Sequence, residues 1–305
     1  MNVWQQFLQS QLRRKSRNQD KHEEQGFKQQ WFLLSGKAQD IENTSPDFSQ
    51  LNAIFPPDDY FWADPFIWKR DGRQYIFFEN YPYQTRTGHI SVIEVDDNGR
   101  PISAVQDVLK ESYHLSYPFL FEHDGELYMV PEKTQAKRVD LYRCTRFPDQ
   151  WTFVHTLIDN IKMADATIFE HEGKWWLFGA AKKGRVRINE SLFAFYADSP
   201  LSQHWTAHPR NPLVKDFSRG RSAGRIFRGR DGALRRPSQD CVRRYGHGLY
   251  MNRISQLSLT DYREQSVWHI VGPEIQMDWR ASHHVDRNDE LMVMDAQRLL
   301  PVSEV

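Results

Sequence analysis

The sequence predicts an all-β protein, a five-bladed β-propeller preceded by a short helical arm. Three observations carry that prediction. One hairpin pattern occurs five times, helical periodicity is absent after residue 30, and one apolar segment is left over to close a ring. In the first copy, Trp62-Ala63-Asp64-Pro65-Phe66-Ile67 leads through Asp71-Gly72 to Tyr75-Ile76-Phe77-Phe78-Glu79. In the second, Leu115-Ser116-Tyr117-Pro118-Phe119-Leu120 leads through Asp124-Gly125 to a stretch ending in Glu132. The third runs from Met163-Ala164-Asp165-Ala166-Thr167-Ile168 through Glu172-Gly173 to Trp175-Trp176-Leu177-Phe178. The fourth runs from Ser222-Ala223-Gly224-Arg225-Ile226-Phe227 through Asp231-Gly232 to Leu234, and the fifth from Ala281-Ser282-His283-His284-Val285 through Asn288-Asp289 to residues 291–294. Each copy joins two β-prone stretches by a two-residue turn, which makes it a hairpin.

Taking Asp64, Tyr117, Asp165, Gly224 and His283 as equivalent, the copies lie 53, 48, 59 and 59 residues apart. That interval holds four short strands, the content of a propeller blade. The last copy runs out of chain soon after its second strand. Trp31-Phe32-Leu33-Leu34 can supply the missing outer strand, so that the ring closes without exposed edges. The propeller is therefore expected over residues 29–305, with residues 1–28 as a separate arm.

In that arm, Trp4, Phe7, Leu8 and Leu12 recur at helical spacing, and Arg13, Arg14, Lys15 and Arg17 follow. The pattern reads either as a helix lying on an anionic membrane surface or as one packed on its own domain. On the first reading residues 1–17 make peripheral contact with an inner membrane. No run of eighteen apolar residues exists, and the basic cluster follows the apolar residues instead of preceding them as in a signal peptide. A cytoplasmic location is expected.

Composition narrows the function. An aromatic content of 13% supplies ample surface for a folded core. Forty basic residues against 40 acidic ones leave no global basic field, which argues against nucleic acid as a partner. Cys144 and Cys241 make neither a disulfide framework nor a metal-ligand spacing. Walker A, Rossmann glycine and GxSxG patterns are absent.

The first strand of each blade lines the channel of a propeller. The repeat therefore gathers Asp64, Tyr117, Asp165, Arg225 and His283 or His284 at one mouth, with Glu79, Glu132, Asp240 and Asp295 nearby. Crowded carboxylates raise one another's pKa and destabilise a fold, so such a ring is a candidate active site; the plainer reading is a set of solvated channel residues. His283 and His284 alternate faces, so one can reach the channel. Contact with water or substrate is their expected role; no cofactor is required, and a divalent metal stays open. Trp62, Tyr117 and Trp279 are candidates either to stack on sugar rings or to pack between blades. The fourth copy is also basic, with ten Lys and Arg against three Asp over residues 215–244. Arg221 and Arg225 belong to that cluster, whose guanidinium groups suit phosphate oxygens.

Asp64-Pro65 and Asp165 resemble the carboxylate positions of the five-bladed family-43 and family-32 glycoside hydrolases. The fuller set Phe61-Trp62-Ala63-Asp64-Pro65-Phe66, His114-Leu115-Ser116-Tyr117-Pro118-Phe119, Asp165-Ala166-Thr167-Ile168-Phe169 and Gln239-Asp240-Cys241 is similar to a more specific group. That group is the N-terminal propeller of glucosamine inositolphosphorylceramide transferases and their stand-alone bacterial relatives. The resemblance covers roughly residues 30–300. It implies a base or nucleophile at Asp64 and an orienting carboxylate at Asp165. The hydrolase pattern also places a proton-donating Glu at the start of the fourth blade, where this chain reads Arg221-Ser222-Ala223-Gly224-Arg225. Glu132 could stand in from a neighbouring blade.

A missing acid beside clustered arginines favours transfer from a phosphate-activated sugar donor to a glycan acceptor, in bacterial surface polysaccharide synthesis, alone or with other biosynthetic enzymes. Asp64 would activate the acceptor hydroxyl, Asp165 would orient the sugar, and Arg221 and Arg225 would neutralise the departing phosphate. The alternatives are a glycoside hydrolase or transglycosidase working through Asp64 and Glu132, and a glycan-binding propeller without chemistry.

Overall fold

The computed structural model describes residues 25–272 and 278–302. Five antiparallel sheets follow one another along the chain, each a hairpin of the repeat extended by outer strands. Blade one contains Tyr60–Arg70, Arg73–Pro82, His89–Val95 and Gln106–Leu109. Blade two contains Ser116–His123, Glu126–Glu132, Val139–Arg146 and Gln150–Ile158, and blade three begins with Lys162–His171 and Lys174–Lys182. Blade four consists of Phe227–Arg228, Leu234–Asp240, Gly248–Leu257 and Tyr262–Val271. Three 3-10 turns of three residues each lie between the described strands. Asp71-Gly72, Asp124-Gly125 and Glu172-Gly173 all have positive φ, the geometry that lets two-residue turns follow the twist of the strands they join.

Blade five closes the ring. Phe27–Lys37 pairs along its whole length with Leu291–Pro301, from Phe27 opposite Pro301 to Lys37 opposite Leu291. The expected closing segment 31–34 is thus the middle of a longer strand, and it is the third strand of its blade. Asn52–Ile54 forms the outer edge beyond it. Phe27 and Lys28, counted with the arm from sequence, already belong to this strand. The proposed helix with Trp4, Phe7, Leu8 and Leu12 lies outside the described residues.

The core lies between blades. Leu33 and Val293 of blade five meet Ile67, Ile76 and Phe78 of blade one. Phe77 and Phe66 of blade one meet Leu120 and Met129 of blade two in a cluster that continues into blade three. Trp176 and Phe178 then meet Leu234 and Tyr262, and Met251 meets Phe32 and Met294. Alternate residues of each strand thus serve the two neighbouring blades. The inner strand of blade four departs from expectation. It pairs regularly only at Phe227 and Arg228, with a single bridge at Ser222, because Gly224 interrupts the ladder.

Candidate active site

One backbone device builds the channel mouth. Between Ala63 and Phe66 the inner strand of blade one carries one residue more than its partner, and the same bulge occurs between Ser116 and Phe119 and between Ala164 and Thr167. Asp64, Tyr117 and Asp165 sit in these bulges with φ of 52°, 45° and 55°. Left-handed backbone costs a non-glycine residue on the order of 1 kcal/mol, and here it turns each side chain toward the channel. Gly224 holds the matching place in blade four at φ 134°.

Asp64 and Asp165 are both buried. The amide of Asp64 donates to Asp295 Oδ2 at 3.2 Å. Its Oδ1 takes no well-aligned hydrogen bond, standing 3.3 Å from His283 Nε2 and 3.7 Å from His284 Nδ1. Burial pushes the Asp64 carboxyl up to about 7; His283 opposes the shift, and the charges of Asp165 and Asp295 add to it. Asp295 is held differently. Its Oδ1 accepts the amides of His283 and His284 at 2.9 and 3.1 Å, and His283 Nδ1 lies 2.8 Å from Oδ2. Despite burial, these contacts keep Asp295 below the usual carboxylate range. Asp295, His283 and Asp64 therefore form a chain in which each ring nitrogen faces one carboxylate. Burial works against charge on His283, but Asp295 and then Asp64 raise its pKa overall.

Across the mouth, Arg221 forks onto Asp165, with Nε donating to Oδ2 at 2.5 Å and Nη2 to Oδ1 at 3.2 Å. Its other contacts are Asn189 Oδ1 at 2.9 Å and Glu132 Oε2 at 3.5 Å. Burial raises Asp165 to about 7 even though Arg221 opposes it, with Glu132 adding to the rise. Glu132 also accepts the Thr134 hydroxyl at 2.5 Å. Glu79, buried and 3.3 Å from His114 Nε2, is pushed well above the usual range by burial and then by Asp64, Glu132 and Asp295. A neutral carboxylic acid and a poised carboxylate thus share one mouth, the combination general acid–base chemistry needs.

Tyr117 closes the floor. It is fully buried, its hydroxyl lies 3.0 Å from Thr167 Oγ1 and accepts the Gly224 amide at 3.0 Å, and its ring meets Phe66 and His284 edge to face. His284 is packed there with its pKa lowered to about 3 by burial, hence neutral. Neither residue offers a surface to a sugar ring. Trp62 is likewise buried, donating Nε1 to Asn80, and Trp279 packs on Phe32.

Three sequence expectations change. Arg225 does not join the mouth: it pairs with buried Asp286 at 3.0 Å, donates to Leu120 O and lies over Phe66 and Phe119. Asp240 faces His269 at 2.9 Å, while its neighbour Gln239 reaches Asp165 at 3.4 Å, because successive strand residues point to opposite faces. Part of the basic character of blade four is internal, with buried Arg235 on Glu42 and Asp231 and buried Arg236 on Glu264, while Lys215, Arg228 and Arg230 are exposed. The repeat did not reveal Tyr245, whose ring lies 4.8 Å from the Arg221 guanidinium and 5.2 Å from the ring of His283. Its following Gly246, at φ 62°, brings that loop against His283, where a Cβ would stand 2.8 Å from the His283 Cβ.

Asp64, His283 and Asp295 are described residues that could hold a metal, with ligand atoms within 4.8 Å of one another. Asp295, however, already spends its oxygens on three amides and the imidazole.

Residues 48–299 match the family described as glucosamine inositolphosphorylceramide transferase 1, N-terminal. The chain is 37% identical over 210 residues to glucosamine inositolphosphorylceramide transferase 1 of Oryza sativa subsp. japonica, and 36% identical over 210 residues to that of Arabidopsis thaliana. Each match covers 68% of this chain but only 28% and 27% of the relatives, so the chain spans roughly a quarter of their length. Its fold is similar to that of Zg3597, a family 117 glycoside hydrolase of Zobellia galactanivorans. That likeness has a TM-score of 0.54 at 12% identity, covering 91% of this chain and 92% of the other.

Proposed function

On the premise that the chain belongs to the family of the N-terminal domain of glucosamine inositolphosphorylceramide transferases, we propose that it transfers a sugar to a hydroxyl of a glycan acceptor. Asp64 is the proton acceptor. The observation that carries this reading is its Oδ1, buried at a strained bulge, free of a well-aligned hydrogen bond and backed by His283. Asp165, gripped by Arg221, orients the sugar. The donor is a phosphate-activated sugar, the class that least needs a strong acid, and Gly224 leaves no room for one in blade four. Arg221 is the arginine near the departing phosphate; Arg225, tied to Asp286, has a structural part. Surface polysaccharide or glycolipid synthesis on the cytoplasmic side is the setting we assign, since the relatives are named transferases.

The test is label transfer from a panel of radiolabelled nucleotide sugars to extracted glycans and glycolipids. Asp64→Asn is expected to lower transfer about 10²–10⁴-fold with donor binding retained. Equal transfer by the variant overturns the assignment. Glycan binding without any sugar transfer would make the propeller a binding module.

One observation favours a second reading, hydrolysis or transglycosylation. Burial and three carboxylates hold Glu79 neutral beside Asp64, which supplies the acid that blade four lacks. Glu79→Gln should then abolish cleavage of 4-nitrophenyl glycosides less severely than cleavage of alkyl glycosides, whose leaving groups need the proton.

A further inference from the structure

A groove of about 330 Å³ lies beside the mouth, lined by Lys28, Gln29, Trp31, Phe61, Tyr81 and Tyr83. Phe61 and Tyr81, opposite each other in the first hairpin of blade one, stack with centroids 4.4 Å apart and planes 11° from parallel. Tyr83 stands edge-on to both at 6.1 and 6.2 Å and is pinned by its hydroxyl, which donates to Gln29 O at 2.6 Å. The groove is joined to the carboxylates at two points. Trp31 lies 4.1 Å from the His283 ring, and Tyr81 lies 5.8 Å from His114, the imidazole beside Glu79. The sequence points to none of this, because the rings come from the closing strand and from the outer end of a hairpin.

Phe61, Tyr81 and Tyr83 are each half-buried, and the Lys28 ammonium lies 5.1 Å from the centre of the Tyr83 ring, which leaves a mixed aromatic and polar surface exposed. The volume is at the small end of ligand sites and suits one or two pyranose rings. Aromatic faces carry negative quadrupoles, which meet the polarised C–H edges of a sugar while polar tips serve its hydroxyls. The lining is four rings with the Gln29 carboxamide and the Lys28 ammonium, which offers faces to the C–H edges of a sugar and polar groups to its hydroxyls.

We propose that this groove is the subsite for a neutral sugar unit of the acceptor, seated against Phe61 and Tyr83 so that its hydroxyl reaches Asp64. The acceptor role rests on the transfer reading above; the sugar subsite itself does not. The test is saturation-transfer NMR on the full chain with methyl glycosides of glucose, galactose, mannose and N-acetylglucosamine, and with uridine diphosphate as the anionic aromatic probe. At least one glycoside is expected to bind, about tenfold more weakly in Phe61→Ala and in Tyr83→Ala, with binding restored in the conservative Phe61→Tyr. Two alanine variants guard against local misfolding in one. Binding unchanged in both overturns the proposal, as does no glycoside binding at 20 mM, about the weakest affinity of interest. Uridine diphosphate occupying the groove in place of every glycoside overturns it too. Groove binding without any transferase activity would retire the transfer reading and leave the subsite standing.

Discussion

Blades one and three on one side and blade four on the other solve the same problem of chain geometry with opposite chemical results. At the bulged station of the inner strand, blades one and three pay about 1 kcal/mol each of backbone strain to aim a buried carboxylate into the channel. Blade four uses glycine there, and the space a side chain would need is filled by its neighbours. A Cβ on Gly224 would lie 1.9 Å from Val285 O, and the Gly224 amide donates to the Tyr117 hydroxyl that plugs the channel. The missing fourth-blade acid is therefore a consequence of how the ring is packed. Strain is kept where it presents a functional group and released where two inner strands must touch.

The largest effect follows directly. Gly224→Ala combines φ of 134° with a backbone clash that no rotamer relieves, so soluble folded protein should be lost, or stability should fall by about 4–5 kcal/mol. Gly72→Ala, at φ 77° with open space around it, should cost only about 1 kcal/mol. Thermal unfolding of the two side by side checks this. Similar losses would mean that the contact with Val285, and with it the difference between blades, is not what glycine serves.

Next in size is Arg225→Ala. It strands buried Asp286, which also accepts the Ile67 amide at 3.0 Å, and should cost about 3–5 kcal/mol. Arg230→Ala, from the same basic stretch but 78% exposed, should stay within about 1 kcal/mol. Sugar turnover per folded molecule should be unchanged in both. A selective loss of donor affinity in the Arg225 variant would return that residue to the chemistry and place blade four beside blades one and three.

The repeat made the fold legible because Asp-Gly and Glu-Gly turns mark hairpins locally, and because five copies align the bulged positions without any knowledge of packing. Asp64 and Asp165 followed from that alignment. Arg225 and Arg221 read alike as phosphate-binding cations, since their partners Asp286 and Asp165 come from other blades. Asp240 was misjudged by one residue: a two-residue period puts Gln239 on the channel side, but the break at Gly224 obscured the register from which parity is counted. Trp31 and Tyr245 reach His283 only through ring closure and a loop, and neither leaves a local pattern.

The smallest effect tests whether Asp64 is kept at a cost. Its pKa is about 7 in the folded protein and ordinary, near 4, in the unfolded chain, so the folded state binds its proton more tightly. The stability this group contributes is complete below about pH 4, declines as pH rises, and is fully lost above pH 7. Asparagine does not titrate, and it tolerates φ near 52° better than most residues, which adds an offset independent of pH. The melting temperature of Asp64→Asn should therefore exceed that of the wild type by an amount that grows between pH 5 and pH 8. The growth should be about 2–3 kcal/mol, roughly 5–10 °C for a domain of this size. Over the same interval wild-type turnover should climb as the carboxylate forms. A stability gap that stays flat with pH would mean that Asp64 is already ionised at pH 5, and that the two acid-bearing blades differ from blade four in shape but not in poise.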